Sequence, residues 1–363
     1  MCSVDTDAAL PTRLVDLLTD RLVACLDEGD GPAAARASVV AVRSGPRSWT
    51  AGLARGGAAP PPVTARFLVY SITKTLTAAA LLRLCGRGLI DPDAPLDRWL
   101  PDFAVADRIT LAQLLAHRAG LRNYGGSPAY HAAVRAGEEP WSEDGFLERC
   151  RAADLFAPPG REFSYSNIGY LLAKRVLERV SGLPFAQALD RELFGPLGLT
   201  GWSVPTERGD LCGLWSGPSP YLGGKDGPPA DVAALYHPGW VAHGVVAATA
   251  EDIAGLFHAL FAGGLLPGGL AARMQESFPV PGTMRGRPWV EPGYGLGLMV
   301  ERDGQAGPYW GHTGGGPGGS ACAYHFPARK PGEEPVTVAL FTDGEDNDQA
   351  EWMTVEAAEI LRE

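Results

Sequence analysis

Leucines at 14, 17, 18, 22 and 26 fall at helical spacing and predict an amphipathic helix over residues 14–26. Two apolar runs follow, 37–43 and 48–54. Ser44-Gly45-Pro46-Arg47 between them is a hairpin signal, so they read as paired strands. Residues 56–62 are a turn-rich connector. The stretch 66–70 is extended in character and gives way at Ser71 to a strongly helical run. From there to about residue 273, helical segments alternate with Gly- and Pro-rich loops. Strand patterning returns at 294–300, 309–312, 321–326 and 336–341, and an amphipathic pattern over 348–361 predicts a closing helix.

Strands at both ends with a helical middle imply an α/β fold. One antiparallel sheet is assembled from distant sequence, and an all-helical part is inserted between its halves. The expected division is 1–70 and 286–363 for the sheet domain and 71–285 for the insertion. Residues 202–243 depart from regular patterning, combining Gly and Pro with Trp202, Trp215, Tyr221, Tyr236 and Trp240. Such a stretch either rims a pocket or packs as a satellite core on the helical part.

Composition narrows the function. The chain has 363 residues, 45% hydrophobic and 20% charged, enough for a sizeable core. A net charge of -11 leaves no basic face for nucleic acid or an anionic membrane, so neither is expected as a partner. Six cysteines, at 2, 25, 85, 150, 212 and 322, are scattered without a C-x-x-C pair. That usage predicts reduced thiols and a cytoplasmic protein. The first twenty residues lack the basic and apolar regions of an export signal, and no apolar run is long enough to span a bilayer.

Candidate chemistry begins at Ser71-Ile72-Thr73-Lys74. Three positions apart on a helix, the hydroxyl and the amine share a face. Lysine is scarce, occurring only at 74, 174, 225 and 330, and unlike arginine it can act as a base when desolvated. Far downstream, Tyr165-Ser166-Asn167 precedes a helical run, and Trp310 with His312-Thr313-Gly314 leads into a glycine-rich stretch. The seven histidines show no H-x-H or H-E-x-x-H spacing, and no dinucleotide or Walker fingerprint occurs in a strand-turn-helix setting. No metal or cofactor is therefore expected.

Together and in this order, S-x-x-K, Y-x-N and H-T-G resemble the signature of serine hydrolases that include class C β-lactamases, D-Ala-D-Ala carboxypeptidases and related esterases. Residues 90–102, 109–121 and 244–260 are similar to further stretches of that family, as is Tyr294-Gly295-Leu296-Gly297. The resemblance runs from about residue 60 to 345. It implies an α/β sandwich plus an all-helical domain, with the active site in the cleft between them. Ser71 is then the nucleophile, and Lys74 and Tyr165 are alternative bases that titrate as one unit. Asn167, Trp310, His312, Thr313, Gly314 and Gly315 are candidate substrate-binding residues. The resemblance further implies an oxyanion hole made by the backbone N–H groups of Ser71 and Gly315.

Histidine in place of the lysine of K-T-G withdraws a permanent charge from the position that would meet a substrate carboxylate. Arg285 and Arg287 are candidate substitutes. The expected function is a serine hydrolase acting through an acyl-Ser71 intermediate on small ester, amide or D-amino-acid peptide substrates. The alternative is an acyltransferase or peptide cyclase of secondary metabolism, and a third reading is a sensor trapped as a covalent adduct.

Overall fold

The computed structural model describes residues 8–224, 227–282 and 284–362; Cys2 and Lys225 lie outside them. Twelve strands occur among the described residues. They are β1 (Ala8–Ala9), β2 (Ala37–Ser44), β3 (Arg47–Ala54), β4 (Phe67–Leu68), β5 (Trp202–Ser203) and β6 (Ala247–Ala248). After these come β7 (Phe278–Pro279), β8 (Pro292–Tyr294), β9 (Met299–Glu301), β10 (Tyr309–Gly316), β11 (Gly319–Phe326) and β12 (Val336–Thr342). Nine of them form one sheet in the order β1-β3-β2-β12-β11-β10-β9-β8-β7, and β4, β6 and β5 form a small second one. All neighbours in the large sheet are antiparallel except β1 and β3.

The central strands are buried on both faces, and their alternation sorts residues into two cores. Val40, Val42, Cys322, Tyr324, Val338 and Leu340 point to one side. There they meet the apolar stripe of α1 (Thr12–Glu28), with Leu18, Leu22 and Leu26, and Met353 and Ala357 of α5 (Asn347–Arg362). Val39, Ala41, Ala321, Ala323, Ala339 and Phe341 point to the other side, into a larger core with the helices of the central segment. Two of those helices pack directly on the sheet, α2 (Ile72–Gly86) and α4 (Ala250–Phe261), both from inside the stretch 71–285. The result is an antiparallel sheet between two helical layers, with the small sheet resting on the same face as α2, where Phe67 of β4 lies 5.8 Å from Phe341 of β12 between ring centres.

Two strand expectations are corrected. The run 294–300 is not one strand but a hairpin, β8 and β9 paired at Tyr294↔Met299. Gly297 at φ +76 lets the chain reverse, and Gly295 N–H closes the turn on Leu298 O at 2.8 Å. In the opposite sense β10 continues past His312 through its glycines, where a loop is the usual expectation. Those glycines are there because other groups pass too close for a side chain, backbone at Gly314 and the Asn347 and Tyr70 side chains at Gly315 and Gly316, and that close approach builds the site.

Candidate active site

α2 is apolar on nearly every side and runs through the middle of the larger core. Its first turn is fixed by hydrogen bonds to distant segments. Thr73 Oγ1 accepts from Val246 N–H at 3.0 Å, and Thr75 Oγ1 donates to Gly297 O at 2.6 Å. Ser71 already has helical angles, and its side chain makes no capping bond to the backbone, which leaves Oγ to side-chain partners. Tyr70, just before it, is held at φ +43, a left-handed conformation uncommon for a bulky residue. Its hydroxyl donates to Pro317 O at 2.5 Å, tying the strained turn to the end of β10.

Ser71 Oγ lies 3.0 Å from Lys74 Nζ and 2.9 Å from the Tyr165 hydroxyl. Lys74 is completely sealed from water, its Nζ 2.8 Å from His243 Nε2 and 4.9 Å from the centre of the Tyr165 ring. Burial holds the amine well below its usual range, favouring the neutral form. Burial pushes the Tyr165 phenol up, with the bond to Ser71 acting weakly the other way, so this residue favours its protonated form. Burial thus favours a neutral amine and an intact phenol beside the one hydroxyl.

Tyr165 reaches Ser71 from the loop before α3 (Asn167–Ser181). Ser166 caps that helix, accepting from Gly169 N–H at 3.2 Å. Beneath the Tyr165 ring, 4.2 Å away between centroids, lies buried His117, itself at φ +55 with Nδ1 accepting from Ser166 N–H.

The opposite wall is β10. A Cβ on Gly314 would stand 2.2 Å from Val69 O and 2.7 Å from Ser71 N, and one on Gly316 2.3 Å from the Tyr70 ring. The glycines let the Ser71 turn lie directly on the strand. Gly314→Ala should therefore destabilise the fold by about 1–3 kcal/mol through overpacking against backbone. Urea denaturation reads this, and an unchanged midpoint would show that the strand and turn separate freely.

Ser71, Tyr165, His312, Thr313 and Gly315 border one cavity of about 320 Å³, and Phe163, Val280, Met284, Trp289, Tyr294 and Met299 give it an apolar wall. His312 Nε2 is 2.9 Å from the Tyr294 hydroxyl and Nδ1 is 2.6 Å from Thr313 O. Burial lowers His312 to about 3, so it stays neutral. The Thr313 hydroxyl turns under the cavity floor to buried Glu351 and Tyr324. Arg287 borders the cavity but is bound to Glu351, Nε to Oε2 at 2.7 Å.

Other expected residues sit elsewhere. Trp310 is on the same face of β10 as His312 but two residues along, about 7 Å. It packs there on Phe261 of α4 and on His325, away from the cavity. Asn167 does not line the cavity; its backbone N–H donates to Asn123 Oδ1. Arg285 is exposed and outside the cavity wall. The aromatic residues of 202–243 take the packing alternative. Trp202 stacks on Phe194 at 4.0 Å, and Tyr236 and Trp240 are core residues.

Sequence reasoning passed over His243, Phe163, Tyr294 and Asn347. For Tyr294 the signal was its Y-G-L-G setting, and for His243 its place just before Gly244, where a familiar stretch begins.

No helix among the described residues is long and apolar enough to cross a membrane. A family model described as Beta-lactamase matches residues 20–360. Esterase EstB of Burkholderia gladioli is 34% identical over 145 residues, 37% of this chain and 37% of that protein. The match thus spans little more than a third of that relative's length. Penicillin-binding protein 4 of Amycolatopsis lactamdurans is 27% identical over 290 residues, 76% of this chain and 71% of the relative. A D-stereospecific amidohydrolase from Streptomyces sp. superposes with a TM-score of 0.77 at 28% identity, covering 94% of this chain and 98% of the other. With the family model spanning nearly the whole sequence, the chain belongs to the Beta-lactamase family, a family of serine hydrolases.

Proposed function

We propose that the protein hydrolyses neutral esters and amides, D-amino-acid amides among them, through an acyl group carried on Ser71. The observation that carries this reading is a serine hydroxyl at the edge of an apolar cavity, 3.0 Å from a buried amine and 2.9 Å from a phenol. Lys74, held neutral by burial, takes the serine proton as Oγ attacks the acyl carbon. The N–H groups of Ser71 and Gly315 receive the oxyanion. Tyr165 gives its proton to the departing alcohol or amine, and the Lys74 ammonium then restores the phenol. Water repeats the sequence on the acyl-enzyme, with Lys74 again the base.

Substrate preference follows from charge. Arg287 is the cation in the cavity wall, and it is already held by Glu351; His312 is neutral. A carboxylate beside the scissile bond, as in penicillins or peptide C-termini, finds no unpaired cation among the described wall residues. The likeness to a D-stereospecific amidohydrolase supports amides alongside esters. The five described cysteines, all free, support a reducing, cytoplasmic setting.

Acid-quenched reaction with p-nitrophenyl acetate should leave one acetyl group on the peptide containing Ser71, seen by mass spectrometry. A neutral ester should be preferred over its carboxylate-bearing analogue by about 10–100-fold in kcat/KM. Acetylation at another residue, or preference for the anionic ester, would overturn the assignment. With methanol added at saturating concentration, acetate should remain the main product; dominant methyl acetate would make the enzyme a transferase.

A further inference from the structure

We propose that His243 is the positioning partner of Lys74: its Nε2 accepts a hydrogen bond from the lysine and steadies the ammonium formed when Ser71 loses its proton. The inference rests on the reading of Lys74 as the base.

Its geometry is specific. Nε2 stands 2.8 Å from Nζ, and both side chains are buried. The loop that carries His243 is fastened on either side. Ala242 N–H donates to the Tyr124 hydroxyl at 3.1 Å, Gly244 turns at φ +80, and Val246 N–H donates to Thr73, the residue before Lys74. The imidazole and the amine are therefore set against each other by backbone contacts independent of their own bond.

The charges around the pair give the contact its purpose. Tyr165 and Tyr170 present ring faces to Nζ, at 4.9 and 5.7 Å from their centroids. His117 and His312 stand nearby, both kept neutral chiefly by burial, and burial, with a lesser push from Lys174 on α3, does the same to His243. None of these groups is a carboxylate. A carboxylate beside Lys74 would keep it an ammonium, unable to take the serine proton. A neutral imidazole leaves the resting amine basic, yet offers a lone pair to the cation once it forms. It thus does for this lysine what an orienting third group does for a catalytic base in other acyl-transfer enzymes.

The other ring nitrogen points the same way. If Nε2 accepts, the proton sits on Nδ1, which is buried without a hydrogen-bond partner. An unpaired buried N–H works against folding, and an apolar side chain would fill the same space without it.

Three variants and one spectrum test the idea. The acid limb of kcat/KM for p-nitrophenyl acetate follows conversion of Lys74 to its neutral form. His243→Leu removes the acceptor and should move that limb to lower pH by about one to two units, with a lower plateau. His243→Glu adds an anion and should move it to higher pH. His243→Gln, whose Oε1 can reach the position of Nε2, should restore the wild-type limb. A purely structural role lowers the plateau in all three without opposite displacements, and that result overturns the proposal.

Should the variants fail to fold, the unaltered protein still decides. Two-dimensional spectra of 15N-histidine-labelled enzyme should show His243 as the Nδ1–H tautomer; an Nε2–H tautomer sinks the inference. Failure here is separable from failure of the underlying reading. An active Ser71→Ala variant defeats the reading, whereas an inactive one with an unmoved acid limb in the His243 variants defeats this proposal alone.

Discussion

Lys74→Met should lower kcat/KM for an activated ester by about 10⁴-fold, as far as Ser71→Ala does. A nucleophile and its base act as a unit, so loss of either removes the same step. Methionine fills the volume of the lysine stem but cannot receive the proton from Oγ 3.0 Å away. The same substitution should change stability in a pH-dependent way, and the sign is fixed. Burial lowers the folded-state pKa of Lys74 below its unfolded value near 10.5. Between the two values the unfolded chain binds a proton that the folded one does not, so wild-type stability falls as pH drops through that window. The methionine variant lacks this loss. Its stability relative to wild type should rise as pH falls from about 10.5 and level off below the folded pKa. Thermal melts of both proteins at several pH values, beside the ester assay, separate the effects. Parallel stability curves would mean that Lys74 does not carry a lowered pKa.

What the sequence disclosed, and what it did not, follows from how each signal arises. Ser71 and Lys74 share a helix face by spacing alone, and Tyr165 follows from a local three-residue pattern. The strands β2 and β12 were legible as apolar runs, and their burial on both faces accounts for that pattern. The glycines of β10 were ambiguous, since a missing Cβ can mark a loop or a close backbone approach. Only the distance from Gly314 to Val69 distinguishes these, and Val69 lies hundreds of residues earlier. His243 was invisible for a related reason. Its meaning comes from one contact with a residue on another segment, and an isolated histidine has no periodicity to reveal it. Arg287 misleads in the opposite sense. As a sequence symbol it is a free cation near the site, whereas in three dimensions Glu351 of the final helix has already claimed it.

That last pairing supports a prediction about both stability and specificity. Glu351 is wholly buried and accepts from Arg287 Nε at 2.7 Å, Trp289 Nε1 at 2.9 Å and Tyr324 OH at 3.0 Å, as well as from Thr313 Oγ1. Glu351→Ala strips the acceptor from four donors at once and should destabilise the protein by about 3–5 kcal/mol. Arg287, Trp289 and Thr313 all border the cavity, so the damage should also raise KM. Glu351→Gln keeps the shape and one acceptor oxygen, and should be the milder change. It should also release the Arg287 guanidinium from its neutralising partner while Asp348, 3.5 Å away, still holds it loosely. A cation freed at the cavity wall favours substrates with a carboxylate near the scissile bond. The kcat/KM ratio of anionic to neutral ester should therefore rise by about tenfold in Glu351→Gln, and adding Arg287→Ala should cancel the gain. A destabilised Glu351→Gln enzyme with the wild-type ratio would show that the Glu351–Arg287 pair supports the fold but does not set substrate charge.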